Sequence, residues 1–188
     1  MEKFQYIFVD TEFTDLLDPH LISIGMVTED GRNEIYLECS DYDKETESPF
    51  VKAVVLPLLQ TKGFPINIIS QKLFHWLAML PISNGTYKII CDYMTDWELL
   101  IDVVDNLPPS VDPDVELLYS ALDTKSTLYG MKTGDIIETS IRARNAFKMG
   151  VDEYFYSNRL KQHHALNDAK ANRYGWLIAM QSFGAKTF

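Results

Sequence analysis

Only two cysteines, Cys39 and Cys91, occur in the 188 residues. That is too few for a cysteine metal site. Both lie in strand-like segments, where free thiols in a reducing cytoplasm are expected. No stretch stays apolar for the roughly 18–20 residues that a membrane helix needs. The opening MEKFQYIFVD runs almost at once into a strand pattern, so no secretory leader is expected. There are no internal repeats, no low-complexity segment and no linker long enough to divide the chain, which leaves one domain over 1–188. Basic residues are also scarce: 17 Lys/Arg stand against 27 Asp/Glu, a net charge of −10. Taken as a whole that balance speaks against a nucleic-acid partner. It is uneven, however. Residues 1–124 hold 7 Lys/Arg and 22 Asp/Glu, whereas 125–188 hold 10 and 5. An acidic part and a basic part in one domain suit either an uneven solvated surface or a metal site beside a phosphate groove.

FQYIFVDTEF is an apolar strand that ends in two carboxylates. HLISIGMVTEDGRNEIYLECSD reads as a hairpin, two β-rich runs about Glu29-Asp30-Gly31. Residues 48–60 suggest a short helix, with Ser48 as cap and Pro49 at its first position. Residues 67–80 repeat apolar side chains at helical spacing after Asn67, a second cap. YKIICDY, 87–93, has strand length; 94–107 is an amphipathic helix stopped by Pro108-Pro109; 114–122 is a further strand. Residues 135–150 form a helix closed by Gly150, and a last helix starts near Ala165 and runs to about Ser182. A meander followed by alternating helices and strands predicts an α/β domain with a mixed sheet and helices on its faces.

Three stretches carry chemistry. Asp10 and Glu12 are two apart on a strand, so they leave it on one side. Unpaired and buried they would repel, and a divalent cation would resolve that cost. Alone, D-x-E also fits an exposed strand end. Asp92 closes the next apolar strand, and Asp96 opens a helix in Thr95-Asp96-Trp97, where it could equally serve the helix terminus. Either could reach Asp10 and Glu12 if the strands are neighbours. In QHHALNDAKANRYGW, 162–176, Asp168 lies on the first turn of the last helix and His163 in the loop before it. Both can face one point before the helix. A histidine there can act as general base near neutral pH. An aspartate there is an oxygen ligand for Mg²⁺ or Mn²⁺. His164 is the rival of His163, because neighbours at a helix start point in different directions.

The order FVDTEFT, CDYMTDWELL, HHALNDAKA resembles the DEDDh exonucleases, the DnaQ-like branch of the ribonuclease H-like superfamily, which includes oligoribonuclease and ribonuclease T. The likeness runs over about residues 5–180, takes in HLISIG as the second strand, and looks closest to compact bacterial and phage-type 3′–5′ exoribonucleases. Many relatives carry Thr-Gly where this chain has Phe13-Thr14-Asp15, which changes the surface that meets the terminal nucleotide.

The resemblance implies a ribonuclease H-like fold and hydrolysis of single-stranded RNA from its 3′ end to nucleoside 5′-monophosphates. Two Mg²⁺ or Mn²⁺ ions roughly 3.5–4 Å apart would serve the reaction. Asp10 would bridge them, Glu12 and Asp168 would complete one shell, and Asp96, favoured over Asp92 by its helix-opening place beside Trp97, would hold the other ion. His163 would take a proton from the attacking water. Phe13 and Thr14 would meet the terminal nucleotide, with Trp97 a second stacking residue. Arg142, Arg144, Lys148, Arg159 and Lys161 are candidates for phosphate contacts, although Arg142 and Arg144 cannot share one helix face. A homodimer and a cytoplasmic location are also implied. Competing readings are a single-stranded DNA exonuclease of the same fold, an endonuclease of the same broad fold, and a catalytically silent acidic binding protein.

Overall fold

A computed structural model describes residues 5–80, 87–106 and 141–182. Among them, β1 (Gln5–Phe13), β2 (Leu21–Thr28), β3 (Glu34–Glu38) and β4 (Tyr87–Ile90) form one sheet in the order β3-β2-β1-β4. β2 pairs antiparallel with β1 and β3, while β4 runs parallel to β1. The helices are α1 (Ile66–Met79), α2 (Met94–Asp105), α3 (Ile141–Asn158) and α4 (Ala165–Ser182). This is the mixed-sheet α/β architecture that the sequence pattern predicts.

β1 shows why the sheet is covered on both faces. Its odd residues Ile7 and Val9 pack with Leu73 and Leu77 of α1 and Leu100 and Val103 of α2. The even Phe8 packs on the other face with Ala169 and Trp176 of α4. The larger of these side chains each contribute roughly 1.5–3 kcal/mol by leaving water, Ala169 less. β2 is buried along its whole length, as expected for an inner strand between two helical layers. α3 lies outside on α4. A Cβ at Gly150 would stand 2.8 Å from the Gly175 Cα, so the helices meet where neither has a side chain.

Four local expectations are revised. The helix expected to close at Gly150 continues to Asn158, and Gly150 lies inside it, against Gly175 of α4. The helix expected over 48–60 runs without a break from 49 to 58 but is irregular, with π geometry over Val51–Val55 and 3-10 geometry over Leu56–Leu58. Ser48 does cap it, its Oγ accepting from the Val51 N–H at 3.2 Å. Pro57 has no N–H to continue the ladder and its ring crowds the preceding turn, so no regular helix develops. The cap of α1 is Pro65, not Asn67. The Ile66 N–H donates to the Asp41 carboxylate at 3.0 Å, so a distant side chain serves that helix end. The strand over 87–93 stops at Ile90. The expected strand 114–122 and the start of the helix expected from 135 lie outside the described residues. Among the described residues, no helix is long and apolar enough to cross a membrane.

Candidate active site

The alternation that buries Phe8 on the α4 face also directs Asp10 and Glu12 to that face. α4 begins there because β2 carries Gly25 opposite Asp10. A Cβ at Gly25 would collide with the backbone of Ala165 and Leu166. Only glycine lets the first turn of α4 sit this low on the sheet, and that brings Asp168 over the strand end. Acceptor atoms of Asp10, Glu12 and Asp168 all lie within 4.8 Å of one another.

A second group forms on the other side of Asp10. β4 pairs with β1 only as far as Phe8, so among the described residues no strand pairs with this edge of β1 beyond that point. α2 starts beside that edge. Asp96 Oδ1 accepts from the Thr11 N–H at 2.9 Å and from the Thr11 hydroxyl at 2.6 Å. Asp10, Asp92 and Asp96 present atoms within 4.8 Å of one another. Asp10 thus belongs to both groups. The choice between Asp92 and Asp96 dissolves: both reach Asp10, Asp96 buried and Asp92 exposed.

The two groups floor a cleft of about 610 Å³. His163 lines it and has a left-handed backbone, φ 68°. Its ring meets Phe50 edge-on, centroids 5.0 Å apart. His164 turns away into the protein and stacks on Tyr36 at 4.3 Å. His163, not His164, is therefore the histidine facing the carboxylates.

Phe13 lines the cleft and also packs against the core beneath, where a bulge between Glu12 and Phe13 shifts the register. Thr14 lines it too, but its N–H donates to the His20 carbonyl at 3.1 Å and its carbonyl accepts from the Ser48 N–H at 3.0 Å. Those bonds shape the 14–20 loop. Trp97 packs against the α1–α2 core and is not part of the cleft wall. Lys148, Arg159 and Lys161 are exposed and also outside that wall, and the side chains of Arg142 and Arg144 lie outside the described residues.

Sequence reasoning passed over half of the wall, Thr11, Leu16, Phe50 and Tyr93 among the residues it missed. Phe50 and Tyr93 are half exposed, and Leu16 is 70% exposed. Each had a faint signal: Phe50 follows the Ser48-Pro49 cap, Tyr93 follows Asp92, and Leu16-Leu17 is an apolar pair between acids. Thr11 had none, because its partner is 85 residues away.

Burial raises the carboxyls of Asp10, Glu12, Asp96 and Asp168. It lifts Glu12 to about 8, helped by the charges of Asp168 and Asp96. It lifts Asp96 to about 7 against the opposing hydrogen bonds from Thr11, and Asp168 to about 7 against the His164 N–H. Asp10 is pushed well up by burial and then by Asp96, Asp168, Asp92 and Glu12. Burial lowers His163, which favours its neutral form at pH 7.

This donor set fits divalent cations. Oxygen ligands suit Mg²⁺ and Mn²⁺. Asp96 Oδ2 is buried without a protein partner while Oδ1 is pinned by Thr11, so the free atom costs stability unless something binds it. Six carboxylates line the cleft, with no Lys or Arg among its described lining residues. Without cations, a phosphodiester would be repelled there.

No family model matches the chain, and no curated protein matches it. Among solved structures it is similar to the crystal structure of cell-death related nuclease 4, with a TM-score of 0.57 and 16% identity over 97% of this chain. The chain spans 65% of the length of that structure. The likeness is one of fold, and the chain has the ribonuclease H-like α/β fold.

Proposed function

We propose that the chain is a divalent-metal-dependent nuclease that removes nucleotides from the 3′ end of single-stranded RNA as nucleoside 5′-monophosphates. The observation that carries this reading is the sharing of Asp10 between two carboxylate groups in one cleft with His163. Asp10, Glu12 and Asp168 would hold one Mg²⁺ or Mn²⁺, and Asp10, Asp96 and Asp92 a second. When bound, such ions supply Lewis-acid stabilisation of charge on the phosphoryl oxygens. His163, kept neutral by burial, accepts a proton from the attacking water. The water oxygen bonds to phosphorus, the P–O3′ bond breaks, and the leaving oxygen takes a proton from solvent. Phe13, Phe50 and Tyr93 offer aromatic faces around the carboxylate floor, where one unstacked base can lie without being read. A homodimer belongs to the same proposal, and light scattering on the intact chain tests it.

The direct test uses matched RNA and DNA single strands labelled at the 5′ end. Each is incubated with Mg²⁺, Mn²⁺ or EDTA, alongside Asp10→Ala and His163→Ala. A ladder that shortens from the 3′ end and is lost with EDTA and in both variants supports the proposal. A faster DNA ladder would transfer the activity to DNA. Internal cuts would make the chain an endonuclease. Intact strands with folded protein would sink the nuclease reading.

A further inference from the structure

Outside the cleft wall lies a further buried carboxylate that the proposed reaction does not use. Glu38, at the end of β3, is 2% exposed. Its Oε1 accepts from the Tyr36 hydroxyl at 2.8 Å and the Gln60 N–H at 2.6 Å. Its Oε2 accepts from the Thr61 N–H at 2.7 Å and the Thr61 hydroxyl at 2.5 Å. Four donors around one carboxylate bind the β3 strand to the 60–61 turn. What this bracket holds is His164. The His164 ring stacks on Tyr36, interplanar angle 23°, and its Nε2 lies 2.8 Å from the Gln60 side-chain nitrogen. The ring is only partly satisfied, since Nδ1 is buried without a partner, so its place is set by the bracket and not by its own polar needs alone.

The backbone of His164 does the rest. Its N–H donates to Asp168 Oδ2 at 2.8 Å, and its carbonyl accepts from the N–H groups of Asn167 and Asp168. One residue earlier, His163 holds its left-handed φ of 68°, a strained conformation for a residue with a Cβ that persists only when its surroundings impose it. We propose that His164 is a positioning residue: clamped by Tyr36 and Gln60 on the Glu38 bracket, it fixes the backbone that presents His163 to the cleft and aims the Asp168 carboxylate. It touches neither substrate nor reacting atoms, and its catalytic consequence rests on the nuclease reading above.

The test pairs Mn²⁺ titration of the intact protein by calorimetry with kcat and KM on a single-stranded RNA. His164→Ala removes the stack and the Gln60 contact. His164→Phe restores the stack alone. Gln60→Ala, at an exposed position, removes the side-chain contact and leaves the backbone bond to Glu38 in place. Groups that orient a metal ligand typically carry ~10–100-fold in affinity or rate. The expected order of Mn²⁺ affinity is wild type, then Gln60→Ala and His164→Phe, then His164→Ala at least ~10-fold weaker. kcat should fall in the same order with KM little changed. If His164→Ala does not fold, the other two variants decide. Wild-type Mn²⁺ affinity in both, with unchanged kcat, overturns the proposal. Because Mn²⁺ affinity is read without RNA, a wild-type protein that binds Mn²⁺ but cuts nothing would defeat the nuclease reading and still leave the positioning role open to measurement.

Discussion

Thr11 holds one oxygen of Asp96 with two hydrogen bonds, and the other oxygen of Asp96 is buried with no protein partner. The asymmetry follows from the strand. Thr11 faces the α1–α2 side of the sheet, whereas Asp10 and Glu12 face α4, so Asp96 reaches the strand end from one side and offers its free oxygen towards the other. Removing the hydroxyl loosens the carboxylate without emptying the core. Thr11→Val should therefore weaken Mn²⁺ binding by ~10–100-fold, and Thr11→Ser by much less. Calorimetric titration of the two variants checks this, and equal affinities would show that the Thr11 N–H alone suffices.

The raised carboxylates give the metal-free protein a pH dependence. Their unfolded values lie near 4, while Glu12 stands at about 8 and Asp96 and Asp168 at about 7. The folded state keeps protons that the unfolded state has lost, so stability falls as pH rises from about 4 to 8. His163 and His164, lowered by burial, act oppositely as pH falls below about 6.5. The clear window is thus roughly pH 6.5 to 8. In EDTA the Tm should fall across it. In Mn²⁺, which replaces the protons, the fall should shrink or reverse. Glu12→Gln should raise the Tm of the metal-free protein at pH 8 and lower the gain from Mn²⁺. A Tm in EDTA that rises over this window would contradict the buried acidic floor.

Much of this site is legible in the sequence because it is local. Asp10 and Glu12 sit two apart on an apolar strand, and Asp168 and His163 flank a helix start that the structure places at Ala165. Strand period and helix start are short-range properties. What failed to show was set by contacts across the fold. Asn67 looked like a cap, but Asp41 reaches across to the helix end. Trp97 could stack on a base or, as a tryptophan on a helix more often does, join the core, and its packing against the α1–α2 cluster decides for the core. The Glu38 bracket joins residues more than twenty positions apart through backbone N–H groups, which leave no mark on sequence.

Phe50 separates binding from stability. It is 51% exposed, so truncation removes little buried surface, and Phe50→Ala should change folding stability by under ~1 kcal/mol. It also holds the His163 ring edge and lines the cleft. On the proposed reaction it should raise KM for single-stranded RNA by about 5–150-fold, since a stacked base is worth about 1–3 kcal/mol, while Mn²⁺ affinity stays near wild type. Steady-state kinetics beside a Mn²⁺ titration reads both. An unchanged KM would remove Phe50 from the substrate surface.

Gly25 is where the fold and the site depend on the same atom. It pairs with Asp10 across β1 and β2, and the first turn of α4 rests on it. The atoms a Cβ would meet are backbone atoms of Ala165 and Leu166, which cannot rotate aside as a side chain would. Gly25→Ala must therefore lift the start of α4 from the sheet. Overpacking of this kind costs about 1–3 kcal/mol, and the displacement carries Asp168 away from Asp10 and Glu12. The expected result is a lower urea midpoint together with a Mn²⁺ affinity reduced by at least ~10-fold. Gly150→Ala, which strains the α3–α4 contact instead, should lower the midpoint and leave Mn²⁺ affinity closer to wild type. Equal loss of Mn²⁺ binding in the two variants would mean that α4 responds as a rigid whole and that the Gly25 contact has no special hold on Asp168.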